Sequence, residues 1–190
     1  MLSNQAAAVE NGPVIDGKLV RTTISTPLGS MIAVADDAAL YFLEFENRVA
    51  LTGELRRLER DLGLIGLGSN TVLKRLVAEL EDYFAGESAA FQMPTFQHGT
   101  AFQEAVWGSL KQIPPGQTRS YGDIAEMLGQ PEKSREVGKA NGANSISIIV
   151  PCHRVIGADG SLVGYGGGLW RKKWLLDHER RYAWTSFEHK

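Results

Sequence analysis

Residues 120–144 read SYGDIAEMLGQPEKSREVGKANGAN, and the architecture follows from that stretch. Ser120, with Asp123 three residues on, spells a capping box opening a short helix through Ile124, Ala125 and Leu128 that stops at Gly129. Pro131 sits where a first helical residue is favoured and starts a second helix through Arg135, Val137 and Ala140, fading at Gly142. Two short helices joined by a glycine-containing turn of about three residues make a helix-turn-helix pattern. The second helix offers Lys133, Arg135 and Lys139 with small Gly138 and Ala140 between them, so a phosphate backbone has room to approach while a long cation reaches past it. A solvated face is the bland alternative, because Glu132 and Glu136 partly cancel those charges.

Upstream, Thr100 and Gln103 form another capping box ahead of Phe102, Val106, Leu110 and Ile113 on one helical face, and Pro114-Pro115-Gly116 ends that helix. The segment GESAAFQMPTFQHG, 86–99, loses all periodicity and reads as a linker. Before it, Leu51, Leu55, Leu58 and Leu62 share one helical face, as do Val72, Leu73, Leu76, Val77, Leu80 and Phe84. Earlier still come the short extended runs KLVRTTIST (18–26), SMIAVA (30–35) and ALYFLEFE (39–46); in the last, Tyr41, Leu43 and Phe45 alternate with Phe42, Glu44 and Glu46, the period of a half-buried strand. These runs predict an antiparallel meander with both helices on one of its faces. The expectation is an α/β fold of the α+β kind: a loosely held arm at 1–17, a domain at 18–95 with a small antiparallel sheet and helices, and a mostly helical domain at 96–190 carrying the helix-turn-helix.

The chain has 190 residues, 43% apolar, enough for a substantial core, and its 20 basic and 22 acidic side chains nearly balance. The balance hides an asymmetry: residues 1–96 carry 8 Lys/Arg against 13 Asp/Glu, residues 97–190 carry 12 against 9, so a polyanion should prefer the second half. A single cysteine, Cys152, rules out an intramolecular disulfide and any thiolate-rich zinc cluster, and suits a reducing compartment. The opening residues lack the basic and apolar regions of a signal peptide, and no run approaches a membrane span, so the reading is a cytoplasmic protein without a membrane partner.

That cysteine ends the apolar run Ser147-Ile148-Ile149-Val150-Pro151, where a strand end would hold a reactive side chain rigidly, and His153 and Arg154 follow it. A thiol attacks as the thiolate, which neighbouring imidazole or cationic groups favour. Adjacent residues of a strand face opposite ways, so Cys152 and His153 cooperate only if the chain turns at Pro151 or a water bridges them. Asp177 and Glu179 in the last helix are both placed to orient the imidazole, and spacing does not choose between them. His178 reads as a packing or surface residue. The glycine-rich GADGSLVGYGGGL, 157–169, spells no phosphate loop, and Gly166, Gly167 and Gly168 would expose backbone groups to a neighbouring pocket.

Together, FQEAVW (102–107), IPPGQT (113–118), SYGDIA (120–125), SREVGKANGAN (134–144), PCHRV (151–155) and GYGGGLWRKKWLLDHE (164–179) resemble the O6-alkylguanine-DNA alkyltransferases, which reverse alkylation damage directly. Residues 18–95 match that family in layout only. The resemblance implies a monomeric repair protein with no cofactor and no metal, whose partner is double-stranded DNA containing alkylated guanine, with O4-alkylthymine a further candidate. It implies that Cys152 takes the alkyl group and keeps it, and that His153, through a water, and Glu179 draw off the thiol proton. Tyr121 would donate to N3 of the leaving guanine, and Asn144 would brace the loop ahead of the cysteine. Arg135 would enter the stack vacated by the flipped base, with Ser120, Gly138, Lys139 and Ala140 along the DNA. Carbonyls of Cys152 and Val155 would accept from the exocyclic amine, and the backbone of Tyr165 and Gly166 would close over the base. Two positions depart from the family pattern: Ser145 stands where proline often follows the bracing asparagine, and Gly166 where some members carry serine. The rival readings are a non-reactive helix-turn-helix protein that recognises lesions and, more remotely, a cysteine hydrolase.

Overall fold

The computed structural model describes residues 18–182; the arm expected at 1–17 lies outside the described residues. Strands β1 (Val20–Ile24), β2 (Met31–Ala35) and β3 (Leu40–Phe45) form the expected antiparallel meander. Helix α1 (Leu51–Leu62) leads to β4 (Gly66–Leu67), which pairs in parallel with β1 and gives the order β3-β2-β1-β4. Two residues beginning with glycine carry no alternation, so nothing in the sequence announced this parallel strand.

The expectation that both helices cover one face is corrected. Met31, Ala33 and Ala35 pack with Leu73, Leu76 and Leu80 of α2 (Thr71–Ala85), whereas Val34, Tyr41 and Phe42 pack with Leu51, Leu55, Leu58 and Leu62 of α1. Successive strand residues point to opposite faces, so the two helices sandwich the sheet. For the same reason β3 is buried along its whole length and not on one side only. A bulge at the Val34–Ala35 step puts Tyr41 beside Phe42 on the α1 face.

The outer edge of β3 is covered by two stretches of later chain. Leu40 N–H donates to Pro94 O (2.9 Å) and Leu40 O accepts from Phe96 N–H (2.8 Å); Leu43 N–H donates to Ser145 O (2.9 Å) and Leu43 O accepts from Ser147 N–H (2.8 Å). An otherwise open sheet edge is thereby satisfied, and the segment before Cys152 is stitched to it.

The remaining elements are α3 (Ala101–Leu110), β5 (Arg119–Ser120), α4 (Tyr121–Met127), a 3-10 turn at Pro131–Lys133, α5 (Ser134–Gly142), a second 3-10 turn at Cys152–Arg154, β6 (Val155–Ile156) and α6 (Leu169–Tyr182). Both capping boxes form, Thr100 with Gln103 and Ser120 with Asp123. Gly129 at φ +68 closes α4, its N–H reaching Glu126 O (2.8 Å) while Gln130 N–H reaches Ala125 O (2.9 Å), the paired bonds of a Schellman end. One core runs from Met31, Leu43 and Phe45 through Leu76 to Val106, Ile124, Val137, Cys152 and Leu175.

The run Ser145–Pro151 is not the strand its β-branched composition suggested. Ile149 N–H donates to Ser147 O (2.9 Å) around Ile148, which at φ +73 is the one non-glycine with positive φ among the described residues. Cys152 N–H donates to Val150 O (2.8 Å) around Pro151 at φ −81, ψ 60. Two three-residue turns in succession swing the chain from the edge of β3 into the 3-10 turn that begins with Cys152.

Candidate functional site

The most heavily bonded group in the lower core is Glu179, on α6, with no exposed surface. Its Oε1 accepts from His153 Nε2 (2.8 Å), Arg154 Nη2 (2.8 Å) and Tyr83 Oη (3.0 Å); its Oε2 accepts from Arg154 Nε (2.9 Å) and Gly116 N–H (3.1 Å). Burial alone would raise its pKa, but His153 and Arg154 outweigh burial and hold the carboxyl well below the usual carboxylate range. Of the two acids the sequence left open, Glu179 is therefore the one beside the imidazole; Asp177 pairs with Lys173 and Arg180 at the surface. His178 donates to Tyr83 O (2.7 Å) and stacks on Trp174 at 4.6 Å between ring centres.

This arrangement fixes the histidine tautomer. Burial pushes the His153 pKa down, so the ring is neutral, and its Nε2 must carry the proton it donates to an ionised carboxylate. Nδ1 is then a bare acceptor, buried and without a hydrogen-bond partner among the described residues. A base held in one tautomer by a buried anion, with its free nitrogen unspent, is equipped to take a proton.

Cys152 is 5% exposed. Burial, reinforced by the Glu44 carboxylate, pushes its thiol up to about 11, while the Asn144 amide, Lys172 and Arg48 pull it back. Asn144 knits the turns together: Nδ2 donates to Val150 O (2.9 Å), and Oδ1 accepts from Ile146 N–H (3.0 Å) and Gln97 Nε2 (2.8 Å). With Ser145 bonded to Leu43, the loop has anchors of its own where proline would have supplied stiffness.

The short β5–β6 pairing sets Arg119 against Val155 and Ser120 against Ile156, which brings the first residue of α4, Tyr121, up to the cysteine turn. Tyr121 Oη donates to Val163 O (3.3 Å), and a thiolate at Cys152 would act on Tyr121, Tyr165 and Lys172 alike. Gly167 is wedged so tightly that a Cβ would meet the Phe45 ring at 2.7 Å and the Tyr165 ring at 2.8 Å. Val155 is fully buried, and the Cys152 carbonyl already accepts from Val155 N–H and, at 3.3 Å, from Asn141 Nδ2. An exocyclic amine arriving there would compete with Asn141.

Four residues of the site escaped the sequence reading: Tyr83, which donates to Glu179, and Glu44, Arg48 and Lys172, which act on the thiol. Lys172, fully buried, donates to Val163 O (2.5 Å) and Gly164 O (3.4 Å); burial pulls its pKa down to about 8, and the Cys152 sulfur pushes it back. A buried cation beside a thiol favours the thiolate. Lys172→Met is expected to slow alkylation of Cys152 by iodoacetamide at neutral pH about tenfold, the equivalent of one unit of thiol acidity. The gap should narrow above about pH 8, where the native lysine loses its own proton, and rates measured across pH check both statements.

On α5, Arg135 and Lys139 are exposed and Val137, Ala140 and Asn141 face the core. Ala140 is the one DNA-side candidate the structure removes: it is 2% exposed, shares the helical face of Val137 and accepts from Trp107 Nε1 through its carbonyl (2.9 Å). Gly138 is half-buried, and a Cβ there would lie 3.8 Å from the Tyr121 ring, while Ser120 spends its hydroxyl capping α4. Lys133 is tied to Gln130 and lies over the Phe102 ring at 5.5 Å.

A helix-turn-helix packed on the turn that carries a free, buried thiol and a histidine held by a buried carboxylate points to a DNA-handling protein of the group-transfer class. Residues 19–96 match the 6-O-methylguanine DNA methyltransferase ribonuclease-like domain and residues 101–181 the DNA binding domain of the same family. The chain belongs to that family. It is 41% identical over 167 residues to the methylated-DNA–protein-cysteine methyltransferase of Shigella flexneri, covering 85% of this chain and 96% of that one. The protein of the same name from Salmonella typhimurium is 44% identical over 164 residues, with the same coverage. The crystal structure of Mycobacterium tuberculosis OGT in complex with DNA superposes with a TM-score of 0.75 at 39% identity, covering 87% of this chain and 94% of that one.

Proposed function

We propose that the protein is a methylated-DNA–protein-cysteine methyltransferase that repairs DNA by direct reversal, moving the alkyl group of O6-alkylguanine in duplex DNA onto Cys152. An alkylated base inside a duplex is out of reach, so it must be flipped out, at a cost of a few kcal/mol. Arg135, exposed near the start of α5, is placed to fill the vacated stack, and Lys139 to meet phosphate. The Sγ–C bond forms as the C–O6 bond breaks. The thiol proton passes through a water to Nδ1 of His153, and Tyr121 gives its proton to N3 so that guanine leaves neutral. The thioether is stable, so each molecule acts once, as a monomer, and the cytoplasm is the compartment we assign. Among the described residues no helix is long and apolar enough to cross a membrane.

The observation that carries this reading is that the free Cys152 thiol is followed, in the same 3-10 turn, by a histidine whose Nε2 is committed to Glu179 and whose Nδ1 is unspent. Exposure to a duplex containing O6-methylguanine should add one methyl mass to the peptide holding Cys152, once per molecule, and Cys152→Ala should add none. Repeated turnover, or methylation of the alanine variant, would overturn it. Arg135→Ala should slow repair of the duplex lesion about tenfold or more while sparing reaction with free O6-benzylguanine, which needs no base flipping; equal losses on both would remove Arg135 from that role.

A further inference from the structure

Arg48 takes no part in the steps above, yet it reaches into the site from the loop between β3 and α1. Its side chain is 9% exposed and is held from three elements: it donates to Glu44 Oε1 on β3 (3.1 Å), to Glu54 Oε1 on α1 (2.8 and 3.2 Å) and to Gly142 O at the end of α5 (3.0 Å). Glu44 is itself buried and also accepts from Ser147 Oγ (2.8 Å), so the guanidinium is anchored to the same loop that carries the cysteine. Charge-assisted bonds of this kind, shared among fixed acceptors, hold a side chain in one place.

That place is directly on Gly166. A Cβ built on this glycine would stand 2.0 Å from Arg48 Nη1 and 2.7 Å from its Cζ. Gly166 is not among the glycines with positive φ, so its backbone suits any residue. What excludes a side chain at 166 is Arg48.

The inference rests on the reading in which the backbone of Tyr165 and Gly166 closes over the everted base. The O6 substituent then lies between Gly166 and the sulfur. A methyl group ends at the reacting carbon, whereas a benzyl group carries a ring onward into the neighbouring space. We propose that Arg48 is a specificity-determining residue: it fills the space beside Gly166 that a large O6 substituent needs and thereby favours small alkyl groups. A bulky substituent must break four hydrogen bonds to seat itself, and a methyl group breaks none.

Single-turnover transfer from duplexes containing O6-methylguanine or O6-benzylguanine tests this. In Arg48→Ala the ratio of benzyl to methyl rate should rise about tenfold or more, the discrimination a shaped apolar space ordinarily gives, whatever happens to the absolute rates. A second pair of variants removes any dependence on the alanine variant's stability. Gly166→Ser alone should slow methyl transfer about tenfold, because its side chain and the guanidinium compete for one volume, and Arg48→Ala combined with Gly166→Ser should recover most of that loss. An unchanged ratio in Arg48→Ala, or additive losses in the double variant, overturns the inference while methyl transfer by the native protein leaves the function standing. Absence of methyl transfer from the native protein overturns both.

Discussion

Glu179→Ala is expected to lower folding stability by about 3–5 kcal/mol, the usual consequence of stripping the partner from a buried ion. Arg154, its side chain 7% exposed, would keep only the Ile113 carbonyl (2.6 Å), and Tyr83 and Gly116 would each lose an acceptor. The direction with pH is fixed too. The folded protein holds this carboxyl charged well below the ordinary range, so its contribution is intact above the ordinary carboxylate pKa and is lost only as pH falls beneath it. Urea unfolding at several pH values should show a native protein that weakens steadily toward acid and an alanine variant that begins weaker and changes less. Transfer should fall by about 10² or more in the same variant, since His153 is no longer held in the tautomer that leaves Nδ1 free. Glu179→Gln, which preserves the volume and one accepting oxygen but removes the charge opposite buried Arg154, should also lose stability while still accepting from His153 Nε2; slow transfer in this variant would assign the effect to the carboxylate's charge, and near-native transfer would show that an accepting oxygen is enough.

Tyr121→Phe is expected to slow methyl transfer by about 10²–10⁴, the range over which a positioned general acid contributes, and to leave affinity for lesion-free duplex unchanged. The ring keeps its packing against the core in the variant, and the single bond given up, to Val163 O, is long at 3.3 Å. Burial raises the phenol pKa, and a thiolate at Cys152 would raise it further, so the proton is in place when the base arrives. Quenched-flow rates on an O6-methylguanine duplex, beside a binding isotherm on undamaged DNA, make the comparison. An unchanged rate would take protonation of the leaving base away from Tyr121.

Local chemistry made the second half of the fold legible. Ser120 with Asp123, Thr100 with Gln103, and Gly129 are signals that act within one helical turn, and each stands in the structure as it reads in the sequence. What the sequence hid was decided by partners far away. The leucines of α1 and those of α2 look alike, and only the pleat of the sheet between them puts them on opposite sides. The isoleucines at 148 and 149 have strand propensity, but bonds to Leu43 and the bracing Asn144 side chain bend that stretch into turns. Within the candidate site, Cys152 and His153 were visible because their chemistry is scarce, and Tyr121 only because its motif resembles that of a known family. Lys172, Glu44 and Arg48 were not, since charged side chains are ordinarily at the surface and only the folded chain reveals which ones are enclosed.

Ile148, a branched residue held at positive φ beside the nucleophile, is a standing expense of about 1–3 kcal/mol. An enzyme that cycles needs loops supple enough to release product and reset, and a wound segment of this sort would hinder it. A protein consumed by the event it performs has no resetting to do. Its loop need only be correct on the first occasion, and stiffness that would throttle a recurring catalyst is here simply aim.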